Sequence, residues 1–505
     1  MVNLLKLFAL FTVVAPSAPS VHKSISELPN ANQEPRLITM SIYEDAKTQM
    51  AFNWNTSWKT DSILQVIEKA TGDFSSSSLL EFNGTTTKSK VSGDGFIHQA
   101  VAKDLKENTT YLYRVGDKDA NVWSDVGEFT TADDSHGVEF IHLSDPQGYE
   151  ELHYNNYNEL LNIAMENSKP DFFALTGDIV NDSYADSTPK LQQWEWAITR
   201  QKEVMQNVPF MTTPGNHEAA DNDYNSRFNL PVPKDGYSAS GSYYSFDYQG
   251  SHFISLNTND TVKTVGFERG LSETQMKWLE QDLKDASASD FIIVMMHKGI
   301  YDAGGHCSNL DSEDGDIELI RNQLSPLFTK YNVDLVLQGH DHLYSRSYPL
   351  TSKFDNELVT TPDKEANKLE LQLGEDIVKV YENPNGTIYL NSGTASGSKY
   401  YQTVDYDKEK IPLEATDSSN NRMYTEITIQ ENVLYAKVYK VINGKPVLYD
   451  TFGISKDLSN NNNQAKPQEK DNLILPIILV SAGLVVVAIG AVICFKKKKE
   501  KGDVN

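Results

Sequence analysis

Along the middle of this chain, apolar runs end in polar residues of a restricted kind. FIHLS ends at Asp145, with Gln147 two residues on, and FFALTG ends at Asp178. FMTTPG ends at Asn216-His217-Glu218, FIIVMM at His297, and VDLVLQG at His340-Asp341-His342. Aspartate, asparagine, glutamine and histidine supply oxygen and nitrogen donors with no thiolate among them, a mixture that suits first-row divalent or trivalent metals. A lone histidine at a strand end is ordinarily a polar tip. Donors that recur at one strand end after another call for a shared site. One ion needs fewer donors than these, whereas two ions sharing a bridging carboxylate would use them all.

For these residues to meet, the runs that carry them must be strands with their carboxyl ends at one place. After Asp133-Asp134, apolar strands alternate with helix-length amphipathic segments: VEFIHLSD, YNELLNIAMENS, DFFALTGD, KLQQWEWAITRQKEVMQ, PFMTTPGNHE, then HFISLNTN, ETQMKWLEQDLKDA, FIIVMMH, IELIRNQLSPLFTKYN and VDLVLQGHDH. That alternation predicts an α/β domain, in which the carboxyl ends of strands line the ligand crevice. Residues 351–386 are charged and irregular and read as a surface insertion, after which GTIYLNSG, MYTEITIQ, VLYAKVYK and PVLYDTFGIS resume strand character. Ahead of this domain, residues 33–132 hold short runs rich in β-branched and aromatic residues, separated by turns and by no amphipathic helix. They predict a β-sandwich, and with no cluster of metal-type donors it reads as a structural or binding module. His98, His136, His142, His153 and His252 read as structural or solvent-facing.

The ordered set D-x-Q, GD, GNHE, H and GHDH resembles the calcineurin-like metallophosphoesterase superfamily. The stretch NWNT…YLYRVGD…WSDVGEFTT is similar to the fibronectin type III-like N-terminal domain of purple acid phosphatases, and GHDHLYSRSYP and NSGTASGSKYY resemble later segments of that family. The resemblance implies an α+β/α/β chain: a β-sandwich over 33–132, then a four-layer αββα metallophosphoesterase domain over 137–455. It implies that Asp145, Gln147, Asp178 and His342 hold one metal and that Asp178, Asn216, His297 and His340 hold a second, the ions being Fe, Mn or Zn. Asn216 and His217 would contact the substrate, and His217 would protonate the leaving group. His306 would be a second catalytic histidine, Tyr344 and Arg346 would lie near the rim with Tyr344 touching substrate, and Asp341 would orient its neighbours. Two positions depart from the family pattern. Asn181 stands where purple acid phosphatases carry a tyrosinate ligand, so no purple colour is expected. Gln147 stands where many metallophosphoesterases have histidine, so the first metal is expected to exchange readily. The implied activity is hydrolysis of phosphomonoesters by a hydroxide bridging two cations. The alternatives are a phosphodiesterase or nucleotidase with the same site, or a non-catalytic surface adhesin on the same scaffold.

The remaining features bound the setting. A chain of 505 residues is too long for one core and predicts several domains. A formal charge of −25 gives no basic face for duplex nucleic acid. The two cysteines, Cys307 and Cys494, allow neither a disulfide framework nor a thiolate zinc site. Residues 1–20 have the layout of a signal peptide: Lys6, the apolar run Leu7 to Ala15, then small residues with Ala18 and Ser20 at positions −3 and −1 of a cleavage site. Residues 456–472 are a polar linker. Residues 473–495 carry no charge and as a helix would span about 35 Å, enough for a bilayer. Lys496–Lys499 open a basic tail, 496–505, that places the C-terminus in the cytoplasm. The expectation is a secreted, membrane-anchored protein whose catalytic domain is extracellular and whose partner is a phosphorylated small molecule or other phosphoester.

Overall fold

The computed structural model describes residues 34–133, 137–181, 189–219, 223–263, 269–308, 316–373, 376–456 and 479–480. The proposed signal peptide, residue His136, and all of 473–495 except Leu479 and Val480 lie outside the described residues. Those two form a short strand against Lys368–Leu373. Among the described residues, no helix is long and apolar enough to cross a membrane.

The N-terminal module is a pair of antiparallel sheets. In the strand Met50–Thr56, Met50, Phe52 and Trp54 alternate with Ala51, Asn53 and Asn55, yet the whole strand is buried. The alternation explains this, because successive side chains of a strand point to opposite faces. Phe52 and Trp54 enter the module's own core with Met40, Leu64, Val66, Tyr113 and Phe129. The polar face meets the second domain: the Asn53 amide donates to Ser226 O (3.1 Å), and on the neighbouring strand Thr39 Oγ1 donates to Arg227 O (2.6 Å). Asp94 and Arg227 pair at 2.8 Å in this interface, both fully buried, with Arg36 beside them. A buried pair of this kind adds little net stability, but losing one partner strands a charge and costs about 3–5 kcal/mol.

The second domain holds two larger sheets, of nine and seven strands. In the first, Val138–Leu143, Phe172–Leu175 and Phe210–Thr212 run parallel, and Arg422–Gln430 joins antiparallel. In the second, Ser251–Leu256, Ile292–Lys298, Leu335–Gly339 and Ile388–Ser392 run parallel. Phe140 and Phe172 of one sheet meet Phe253 and Phe246 of the other edge to face, which packs the sheets together. Helices Glu273–Asp285 and Asp316–Lys330 put Leu279, Leu283, Ile317, Ile320, Leu324 and Phe328 against the seven-stranded sheet. Both sets of parallel strands end at the same place, where the candidate donors follow.

Residues 351–386 are more ordered than their charge suggests. Leu350–Asp355 pairs with Glu357–Pro362, and Lys368–Leu373 pairs with Asp376–Glu382 to extend the nine-stranded sheet. The period-two signal is there: Leu371, Val378 and Val380 form a small core on one face, while lysines and glutamates take the other. Exposed charge on the outer face masks a strand whose inner face is apolar.

Buried histidines away from the strand ends are structural. His142 is fully buried between the hydroxyls of Thr176 (3.0 Å) and Ser392 (2.9 Å), and burial pushes its pKa down to about 3. His252 is bracketed by Asp247 (2.7 Å) and Asp282 (2.9 Å). Burial would lower its pKa, but the two carboxylates outweigh burial and raise it to about 9. Since the folded value lies above the ordinary one of about 6.5, its stabilisation is complete below about pH 6.5 and is lost as pH rises through about 9. Exposed Asp247 is partly screened, so we expect His252→Gln to be less stable than wild type by on the order of 2 kcal/mol at pH 6. Denaturant unfolding should show that gap closing by pH 10, and a gap that does not depend on pH would contradict the assignment.

Candidate metal centre

The donors lie at the end of a buried strand or within four residues after it, and at three of them the backbone is forced. Asp145, Asp178 and His340 have φ of 53°, 50° and 77°, a left-handed region that side chains other than glycine seldom occupy. Such conformations cost on the order of 1–3 kcal/mol each and persist where surrounding structure over-determines them. Gly177 turns the chain ahead of Asp178 with φ of 88°, and a Cβ there would lie 2.8 Å from His297 Nδ1. At Gly339 a Cβ would lie 2.0 Å from Ser144 Oγ, so only glycine lets the two sheets' strand ends approach.

The donors then converge. Ligating atoms of Asp178, His297 and His340 lie within 4.8 Å of one another, as do those of Asp145, Asp178 and His342. Asp178 belongs to both groups, and all five residues are buried. Asn216 Oδ1 is 2.9 Å from His297 Nε2, and Gln147 Nε2 is 3.0 Å from His342 Nε2, so each amide completes one group.

The tautomers follow from the outer partners. His297 Nδ1 faces Thr176 O (2.8 Å) and His342 Nδ1 faces Lys399 O (3.2 Å). A carbonyl can only accept, so both Nδ1 atoms carry the proton and both Nε2 atoms of the neutral rings present a lone pair. The His297 lone pair points at an acceptor, Asp178 Oδ2 at 3.3 Å, while His342 Nε2, 3.3 Å from Asp145 Oδ1, also has the Gln147 amide N–H to accept. Lone pair facing carboxylate is repulsive unless a proton or a cation lies between. Burial would lower the His297 pKa, yet Asp178 and Asp145 push it up to about 9. Asp178 is held well below the carboxylate range despite burial, chiefly by His297 and His217. Gln147 Oε1 and His340 Nε2 are buried with no hydrogen-bond partner. Buried polar atoms are nearly always satisfied, so these two fit as metal donors.

His217 and His306 flank the donors. The His217 N–H donates to Asp178 Oδ1 (3.1 Å), Lys190 Nζ donates to its carbonyl (2.6 Å), and its Nε2 is 3.7 Å from Asp178 Oδ2 with the ring partly exposed. The half-buried His306 ring is 4.3 Å from that of His340.

Two expectations need correcting. Tyr344 is not at the rim: it is fully buried, and its hydroxyl donates to Asp450 Oδ2 (2.6 Å), which also takes Arg346 Nε (2.9 Å). These side chains tie two strand edges together, because strand residues beyond His342 point alternately into packed layers. Asp341 does not orient its neighbours' rings. Its carboxylate accepts from the backbone N–H of His306 (3.3 Å) and Cys307 (3.1 Å), so it holds the His306 loop against the site.

Other residues at the site lie within GNHE and NSGTASGSKYY, but their roles come from contacts that those segments do not spell out. Glu218 accepts from Gly215 N (2.7 Å), Asp178 N (3.0 Å) and Val180 N (3.0 Å), stitching two donor loops together, and burial followed by the Asp178 charge raises its pKa to about 7. Its signal in the sequence is adjacency to His217 within GNHE. Tyr401 stacks on His342 at 4.6 Å and lies 5.5 Å from His306. Ser396 and Ser398 both donate to Gln147 O (2.8 and 2.6 Å). One short loop, 396–401, therefore grips the Asp145 side of the centre.

Comparison with known proteins agrees with this geometry. The profile described as "Calcineurin-like phosphoesterase" matches residues 138–344, and "Purple acid Phosphatase, N-terminal domain" matches residues 35–131. Acid phosphatase type 7 of Danio rerio is 25% identical over 382 residues, covering 70% of this chain and 76% of its own. The Mus musculus protein of that name is 27% identical, covering 59% and 64%, and purple acid phosphatase 15 of Arabidopsis thaliana is 27% identical, covering 50% and 50%. The chain thus spans under two thirds of the length of the latter two. Among solved structures, a purple acid phosphatase from yellow lupin (Lupinus luteus) seeds superposes with a TM-score of 0.65 at 18% identity, covering 87% of this chain and 78% of that one. PhoD superposes with 0.59 at 14% identity, covering 86% and 92%.

If Asp178 serves both donor groups, its loss is the more damaging. Asp145→Asn should keep one tightly held ion, whereas Asp178→Asn should weaken both by about 100-fold or more. Metal analysis after dialysis against manganese reads this directly, and two retained ions in Asp178→Asn would refute the sharing.

Proposed function

The chain belongs to the calcineurin-like metallophosphoesterase hydrolases and carries a purple acid phosphatase N-terminal domain, and from that premise we propose that it hydrolyses phosphomonoesters at the Asp178 centre. The carrying observation is the pair of donor groups that share Asp178, with the unpartnered Gln147 Oε1 and His340 Nε2 among them. Two cations held there, Fe, Mn or Zn by the chemistry of the donors, would neutralise phosphoryl oxygens and lower the pKa of water. Asp145, Gln147, Asp178 and His342 would hold one, and Asp178, Asn216, His297 and His340 the other.

The chain's own residues do the rest. The His217 backbone is fastened at its N–H and its carbonyl, and its partly exposed ring stands beside the centre with Nε2 3.7 Å from Asp178 Oδ2. It gives its proton to the departing alkoxide and regains one from solvent. His306, held by Asp341, lines the adjoining wall. The net charge of −25 repels phosphate at long range, so the substrate must be drawn by a local positive site. Asn181 supplies no phenolate, which supports a colourless metal-loaded protein. A diesterase or nucleotidase would use the same donors, and an adhesin would have no need of them.

Membrane anchoring is proposed from composition alone: the uncharged residues 473–495 precede four lysines, and residues 1–20 resemble a signal peptide. Expression of the whole chain should give a membrane-bound enzyme releasable by detergent, and recovery in the soluble fraction would count against it.

The function is tested on the chelator-treated chain with p-nitrophenyl phosphate and bis-p-nitrophenyl phosphate. Manganese, iron or zinc should restore monoester hydrolysis, and no turnover with any of them would overturn the reading. His217→Asn should lower kcat by about 10²–10⁴-fold while leaving metal content unchanged. A variant that instead lost metal would move His217 from proton donor to ligand.

A further inference from the structure

Lys399 is the one part of the 396–401 loop that metal binding does not explain. Its backbone carbonyl takes the His342 Nδ1 proton (3.2 Å), while its half-buried side chain reaches back and donates from Nζ to Asn181 Oδ1 (3.1 Å). Asn181 is itself 2% exposed and lies three residues past Asp178. The side chain therefore stretches from beside one donor to beside the peptide that follows another, along the flank where Asp145 and Gln147 sit. Among the described residues no carboxylate pairs with this ammonium. Among those residues the side-chain partner that it has is a neutral amide. A cation with no counter-ion among the described residues, beside a centre that would hold two more cations, does not act as a stabiliser of the metals, since like charges repel. It makes sense if an anion arrives.

We propose that Lys399, positioned by Asn181, is a third positive group for the phosphoryl oxygens, and that it biases the centre toward dianionic monoesters over monoanionic diesters. The inference rests on the function proposed above and adds the residue that reads substrate charge. A diester carries one negative charge and a second organic group, so it gains less from an added ammonium and has fewer free oxygens to offer it. A monoester, or the phosphate product, presents oxygens enough for both metals and a charge-assisted bond from Nζ.

The test uses the full, manganese-loaded chain and three variants. Lys399→Met removes the charge, Lys399→Arg keeps it, and Asn181→Asp captures it in a salt bridge. A charge-assisted hydrogen bond is worth about 10–100-fold, and the partial exposure of Lys399 favours the low end. Lys399→Met and Asn181→Asp should each weaken inorganic phosphate binding by about tenfold, measured by calorimetry. Each should lower kcat/KM for p-nitrophenyl phosphate by a similar factor, with the bis-p-nitrophenyl phosphate value changing less than about threefold. Lys399→Arg should keep the wild-type preference. Manganese affinity should not fall in any variant. Equal losses on both esters, or a loss of manganese affinity in Lys399→Met, would reduce Lys399 to a prop for His342 and overturn the proposal. Wild-type protein that turns over neither ester would defeat the function instead. Phosphate calorimetry would still judge Lys399, because identical binding by wild type and Lys399→Met sinks the inference on its own.

Discussion

The structure turns on a contact that is unfavourable as it stands: the neutral His297 ring aims its Nε2 lone pair at the carboxylate of Asp178 in a buried site. Everything around that contact keeps it from relaxing. Thr176 and Lys399 hold the histidine tautomers from behind. Glu218 binds the backbone on either side of Asp178, and the glycines before Asp178 and His340 remove side chains that would hold the strands apart. A proton can ease the conflict at one histidine, and the raised pKa of His297 is the mark of that. Cations held there would ease it without that proton and would also use the amide of Gln147 and the unpartnered nitrogen of His340.

Such a site is costly to build, and the fold is organised to bear the cost. Three left-handed donors and several buried charges sit where two sheets end. Two large apolar clusters lie directly beneath, one between the sheets and their first helices, the other under Glu273–Asp285 and Asp316–Lys330. The N-terminal module braces the same region. Its polar sheet face reaches Ser226 and Arg227, a few residues from the helix turn that carries Asn216 and His217. Lys190 and Trp194 share Asp223 between that interface and the His217 carbonyl. The sandwich thus supports the His217 side of the centre, and none of its residues belongs to either donor group.

The donors were readable in the sequence because metal chemistry restricts residue type and α/β topology restricts position. Polar residues at the ends of apolar runs had one place to go. The fold class was readable for a related reason, since strand and helix periods differ. What the sequence hid was direction. Tyr344 follows His342 by two residues, yet a strand begins there and carries its phenol into a packed layer toward Asp450. Asp341 sits between two donor histidines, but its carboxylate faces the His306 loop. Glu218 and Lys399 lie in GNHE and NSGTASGSKYY, but they make contacts with backbone N–H groups and with a residue far along the chain that residue type and spacing do not reveal. The strands of 351–386 were masked by charge on their outer face.

Anomalous diffraction from crystals of the manganese-loaded protein tests the central claim most directly. The account requires two peaks, one among Asp145, Gln147 and His342 and the other among Asn216, His297 and His340, with an oxygen of Asp178 within bonding distance of each. A single peak, or two peaks with Asp178 turned away from either, would contradict it.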